Sequence, residues 1–260
     1  MGKRDSVRTT TAFPTRTADA AGPTVPEPGR VVPPSRSERL TPAGPPTVGT
    51  MYVPVFNRMD DEREIRELVA QVASAQLVTV GDDGYPLATL LPVVWEEERL
   101  VMHMARANPH WRAIAPDSPA LAVVDGAQAY ISPTWYPSKA EHGRVVPTWN
   151  YSAVHLRGRV TVHDDPEWVL DAVTRLTNVH EQPRERPWAV SDAPERYREL
   201  QLKAIVGVEL IVESVEGKAK LSQNRSEADQ TGVISGLYAE GSPRSDAVAD
   251  AMVRQQQRTG

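Results

Sequence analysis

The chain has 260 residues, 40% of them hydrophobic and 24% charged, with a net charge of −5 and no cysteine. That suffices for one substantial core, and the lack of thiols excludes disulfides, thiolate metal centres, iron–sulfur clusters and a cysteine nucleophile. Residues 1–50 carry seven Lys/Arg against four Asp/Glu, or +3, so the remainder carries −8, a poor footprint for a nucleic-acid surface.

No run approaches the ~18 apolar residues of a membrane span, and the N-terminus lacks the apolar stretch of a secretory signal, which predicts a cytoplasmic protein with no membrane partner. Residues 1–50 hold nine of the 23 prolines and few large apolar side chains. Such a composition buries too little surface to offset chain entropy. The expected organisation is a disordered extension over 1–50, one domain over 51–241 and a helical tail over 242–260.

From Asp60 the spacing of Ile65, Leu68, Val69 and Val72 predicts an amphipathic helix, with an N-terminal box from Asp61 to Glu64. Strands follow at Leu77–Val80, Leu87–Trp95 and Leu100–Met104, joined by short turns that make antiparallel hairpins. Asn108-Pro109 starts a short helix, with Asn as cap and Pro in the first turn. Further strands are expected at Ala120–Val124, Ala127–Ser132 and Asn150–Val162. A helix from Asp165-Pro166 and another over Pro194–Leu202 lead to a strand at Ile205–Val215. Glu216-Gly217 reads as a turn into Lys218–Leu221, and two helices close the chain near Ser226–Tyr238 and Ser245–Gln256. Six or more short antiparallel strands with helices between them predict an α+β, mainly β fold closed into a small barrel, since closure removes exposed edges.

Three segments carry the chemistry. The first, Tyr130–Tyr151, concentrates Trp135, Trp149, Tyr136 and Lys139 in a stretch stiffened by Pro133, Pro137 and Pro147, although aromatic residues are only 6% of the chain. Rings beside hydroxyls and a cation suit a planar anionic ligand such as flavin mononucleotide (FMN); rings that cover a barrel corner have the same composition. The second is His103–Trp111, where Arg106 precedes a helix start and is either a phosphate anchor or a solvated cation. The third is Gly217–Arg225, where Lys218 and Lys220 share a face ahead of Gln223, Asn224 and Arg225. These side chains suit phosphate or ring edges, and equally a polar turn between strand and helix. No dinucleotide fingerprint, Walker loop or paired-histidine metal motif is present, so no metal is assigned.

Together, Met51–Pro54, His103–Trp111, Tyr130–Lys139, Val146–Tyr151 with His155 and Gly158, and Gly217–Arg225 resemble the PaiB family of FMN-binding negative transcriptional regulators, over about four-fifths of the chain. The resemblance implies an antiparallel FMN-binding split barrel with inserted and flanking helices, a homodimer with FMN near the subunit interface, and transcriptional repression through DNA. The acidic domain does not support direct DNA contact. It further implies cofactor-binding roles for His103, Arg106, Asn108, Trp111, Ser132, Trp135, Tyr136, Lys139, Thr148, Trp149, Asn150, Lys220, Gln223, Asn224 and Arg225. Arg106, Ser132, Lys139 and Arg225 are expected at the phosphate or flavin edge, and Trp135 and Trp149 are expected to stack. The alternative is an enzyme on the same barrel, either a flavin-dependent oxidoreductase or a heme b enzyme resembling piperazate synthase, with His103 or His155 on the iron. In one departure, relatives often carry histidine where this chain has Leu90.

Overall fold

A computed structural model describes residues 51–259; the extension expected to be disordered lies outside the described residues. The chain enters through a 3-10 turn at Val55–Asn57 and a two-residue strand, β1 (Arg58–Met59). Asp61 caps α1 (Glu62–Val72) by accepting from the Arg63 amide at 2.9 Å, and Ile65 and Val69 turn inward. Then come β2 (Ser74–Val80), β3 (Pro86–Glu96) and β4 (Arg99–Ala105), two tight hairpins whose turns place Gly84 and Glu97 at positive φ. After a 3-10 turn at Pro109–Ala113, β5 runs unbroken over Ser118–Ile131, where two strands are expected. A register shift between Asp125 and Gln128 lets one strand bend where the sequence suggests an interruption. The short α2 (Ser138–His142) precedes β6 (Thr148–His163), α3 (Pro166–Glu181) and α4 (Glu195–Leu202). The last strand is β7 (Ile205–Lys220), followed by α5 (Glu227–Ala239) and α6 (Pro243–Thr259).

All seven strands form one antiparallel sheet in the order β1-β7-β4-β3-β2-β5-β6, and β6 pairs back onto β7. Six strands therefore close into a ring, with β1 appended to β7, in the mainly β antiparallel architecture expected. One local expectation fails. Glu216-Gly217 is not a turn: β7 continues through it, paired with β6 from Gly207 to Lys220 and with β1 at Gly217 and Lys218. Gly217 is small because β1 and α1 lie against it, where a Cβ would come within 2.8 Å of the Met59 Cβ and 3.0 Å of Ile65. Glycine here answers close approach rather than reversal.

Leu77, Leu100, Met102, Met104, Ile131, Leu156 and Leu210 fill the barrel with essentially no exposure. One side is sealed by α5 and α6, which contribute Val233, Leu237, Val248, Ala249 and Met252. The segment expected as a tail thus supplies core residues. On another side Trp168 of α3 lies over Gly207 and stacks on His163 with ring centroids 4.0 Å apart.

Candidate functional site

Two of the three chemistry-bearing segments meet in one cavity of about 380 Å³, within the range of small-molecule sites of about 300–1,000 Å³. Its walls come from the entering chain (Tyr52, Pro54, Phe56, Asn57), the start of β6 (Val146–Thr148, Asn150, Tyr151) and the end of β7 with its exit (Lys218, Lys220, Ser222, Asn224, Arg225). Strand pairing places Tyr151 opposite Lys220 and Ala153 opposite Lys218, so both lysines and the Tyr151 ring share one face.

The electrostatics are one-sided. Lys218, Lys220 and Arg225 line the cavity with no carboxylate among its walls, and none of the three makes an ion pair among the described residues. Lys218 is only 7% exposed; its ammonium donates to the Tyr52 carbonyl at 2.8 Å and lies 5.5 and 5.2 Å from the Tyr52 and Tyr151 ring centroids. Lys220 donates to the Thr148 hydroxyl at 2.6 Å and the Trp149 carbonyl at 3.0 Å. The Arg225 guanidinium lies 4.8 Å from the Tyr136 ring centroid. A buried cation without a counter-ion is unfavourable unless something anionic joins it.

The backbone at the exit is held by side-chain hydrogen bonds. Ser222 adopts φ of 65°, the left-handed region, although it is not glycine. Buried Asn150 fixes it: Nδ2 donates to Ser222 Oγ at 3.0 Å, and that hydroxyl donates to Asn150 Oδ1 at 3.2 Å. Gln223 adds hydrogen bonds from its side chain to the Ala219 carbonyl and from the Leu221 amide. Such strain persists only where surrounding contacts over-determine it, and here it turns the chain so that Asn224 and Arg225 line the cavity.

The aromatic loop is placed differently. Trp135 packs on α5, where its ring occupies the space a Cβ on Gly236 would need and its carbonyl that of one on Gly232. Asp229 of α5 clamps the same loop by accepting from the Ser138 amide at 3.1 Å and hydroxyl at 2.8 Å. Ser132 caps the intervening 3-10 turn through the Thr134 amide, and Lys139 is exposed. Tyr136 is buried beneath Arg225, and its hydroxyl has no hydrogen-bond partner among the described residues. Trp149 lies at the surface, with its indole N–H on Gln128 at 3.2 Å and Arg244 against its ring.

The second segment lies apart from the cavity. Arg106 forms a bidentate pair with Asp164 and donates to the carbonyls of Lys203 and Ile205 at 2.9 and 3.1 Å. That hydrogen bonding holds the Asp164 carboxyl below its ordinary range. Trp111 donates to the Arg106 carbonyl, and Asn108 caps the turn while donating to Thr89. His110, buried, bridges Thr79 and Thr89 at 2.8 Å on each ring nitrogen. His103 sits on β4 opposite Gly207 with Nδ1 enclosed and without a hydrogen-bond partner among the described residues.

Burial lowers the pKa of His103, His110 and His155, in the last case against the opposing pull of Glu216. Between their folded values and the unfolded value of about 6.5, the unfolded chain binds more protons. Stability present above pH ~6.5 is therefore lost as pH falls through that window, by up to about 1.4 kcal/mol per pH unit for each histidine. Urea midpoints at pH 7.5 and 5.5 check this; equal midpoints would exclude it.

Tyr52 and Asn57 escape sequence reasoning as site residues because they come from the far end of the domain, Tyr52 lying 166 positions from Lys218. The left-handed Ser222 likewise has no signal in residue type. Lys218 does have one, since alternation pairs it with Lys220.

Residues 51–214 match the family described as "Putative FMN-binding domain". The chain is 32% identical over 206 residues to the protease synthase and sporulation protein PAI 2 of Bacillus subtilis, covering 78% of this chain and 96% of that protein. An uncharacterized protein of Aspergillus fumigatus is 36% identical over 155 residues, covering 54% of this chain and 59% of its own length. Among solved structures, the FAD and heme binding protein of Mycobacterium smegmatis is similar with a TM-score of 0.49 and 17% identity, over 67% of this chain and 78% of that one.

Proposed function

Because this chain belongs to the PaiB-like family of FMN-binding domains, we propose that FMN, the family's cofactor, lies in the cavity between the entering chain, β6 and the β7 exit. The observation that carries this reading is the donor set: three cations without carboxylate partners among the described residues, beside the rings of Tyr52, Phe56 and Tyr151. Lys220, Asn224 and Arg225 at the exit are the phosphate contacts, since a dianion needs several charge-assisted donors. Tyr52 and Tyr151 offer ring surface, and Asn150 with Ser222 holds the exit in position. Bound FMN supplies electron and hydride transfer; the chain's groups bind it, orient it and exclude water. Absorption after reconstitution with FMN tests the reading. Two flavin bands are expected, whereas their absence, or a Soret band in their place after incubation with heme, overturns it.

The assembly is a homodimer. One row of cross-strand partners, Leu90–Gln76–Val123–His155–Glu216, runs over the outer face of the barrel towards the cavity. On this face Leu90 is 61% and Val80 65% exposed. Apolar residues grouped on a sheet face mark an association surface, and a second copy of the same face covers them symmetrically. Leu90→Asp is expected to lower the mass in light scattering from twice the 28.6 kDa chain to a single chain. A variant that stays dimeric places the interface elsewhere.

A negative transcriptional regulator is the finer reading, supported by likeness to a protein named for protease synthesis and sporulation. With −8 on residues 51–260 against +3 on residues 1–50, any DNA contact falls to the basic N-terminal residues or to a partner. Gel shift of DNA upstream of its own gene at graded salt tests this; no shift at low salt removes direct binding.

A further inference from the structure

The cavity's three cations are not equivalent. Lys220 and Arg225 flank the strained exit near the exposed Asn224, where several donors converge. Lys218 stands apart, buried, with its ammonium near two tyrosine rings and one carbonyl as its hydrogen-bond partner. The next carboxylate on its face, Glu216, is engaged by Arg157 at 3.2 Å and by the Met51 amide at 3.0 Å. A phosphate dianion matches the multi-donor exit. A single enclosed charge between ring faces matches a singly charged, delocalised anion that stacks on one of those rings.

Resting on the reading that FMN occupies this cavity, we propose that Lys218 recognises negative charge on the flavin ring rather than on the phosphate, and so biases the site towards reduced FMN. Two electrons and one proton taken up by the ring leave it with one negative charge. Lys218 stabilises that form while adding little to binding of the neutral oxidised ring. The carbonyl of Tyr52 holds the ammonium, which makes the entering chain part of the redox bias.

Anaerobic dithionite titration against a reference dye, with FMN and with riboflavin, tests the inference on wild type, Lys218→Met, Lys218→Gln and Lys218→Arg, with circular dichroism confirming the fold. Wild type is expected to hold reduced FMN more tightly than oxidised FMN. Each neutral variant is expected to lose at least tenfold of that preference, about 30 mV for a two-electron couple, while Lys218→Arg retains it. The ratio of FMN to riboflavin affinity stays unchanged throughout. Loss of that ratio in the neutral variants moves Lys218 to the phosphate and overturns the inference. So does a wild type that holds both redox forms equally, a result independent of whether any variant folds. A wild type that takes up no FMN sinks the cavity reading instead.

Discussion

Replacing Lys220 and Arg225 together by alanine is expected to raise the dissociation constant for FMN by at least about 100-fold while leaving riboflavin binding within about threefold. Each hydrogen bond to a charged partner contributes about 1.5–3 kcal/mol, and about 1.4 kcal/mol is one decade of affinity. Two such contacts give two decades or more. Neither residue makes an ion pair among the described residues, so removal strands no carboxylate. Lys220 does release the Thr148 hydroxyl and the Trp149 carbonyl, both able to take water at the rim. Fluorescence titration of the apoprotein with the two flavins decides the matter. Parallel losses for FMN and riboflavin would mean that the exit does not meet phosphate.

Gly158→Ala is expected to lower barrel stability by about 3 kcal/mol, at the upper end for overpacking, and the melting temperature by about 10 °C. The cause is local and steric. Gly158 of β6 lies beside the bulge where β7 inserts an extra residue, Glu213, between the partners of Arg157 and Gly158. A Cβ there overlaps the Ile211 carbonyl and reaches 3.1 Å from the Glu213 amide. Both neighbours are backbone held in the closing ladder and cannot rotate aside as a side chain would. Circular dichroism melts measure the effect; a shift under about 2 °C would show that the bulge moves freely.

Much of the fold is legible in the sequence because its signals are local. Ile65 and Val69 at helical spacing, Asp165-Pro166 at a helix start and the two tight hairpins each need only a few neighbouring residues to be read. What resists reading depends on distant partners. Glu216-Gly217 has the composition of a turn, yet Met59 and Ile65 pack against that glycine and the strand runs on. Trp135 has the composition of a stacking residue, while Gly232 and Gly236, a turn apart on α5, provide its seat. For the site, alternation aligns Lys218 with Lys220, and composition marks the rings of 130–151. Local pattern does not reveal that Arg106 meets Asp164 across 58 residues, nor that Tyr52 returns to the lysine it holds.

The unbroken β7 has a further consequence. It is gripped by β6 along one edge and by β4 and then β1 along the other, and Lys218 and Lys220 project from the same run of residues. Sliding such a strand by one position exchanges its two faces, which would send both ammonium groups towards the barrel interior. Alignment of the hoop and charge of the pocket are therefore one variable. On the proposed placement of FMN, a barrel closed out of register is expected to take up no flavin, so the yellow colour of a preparation would measure how many molecules closed in register.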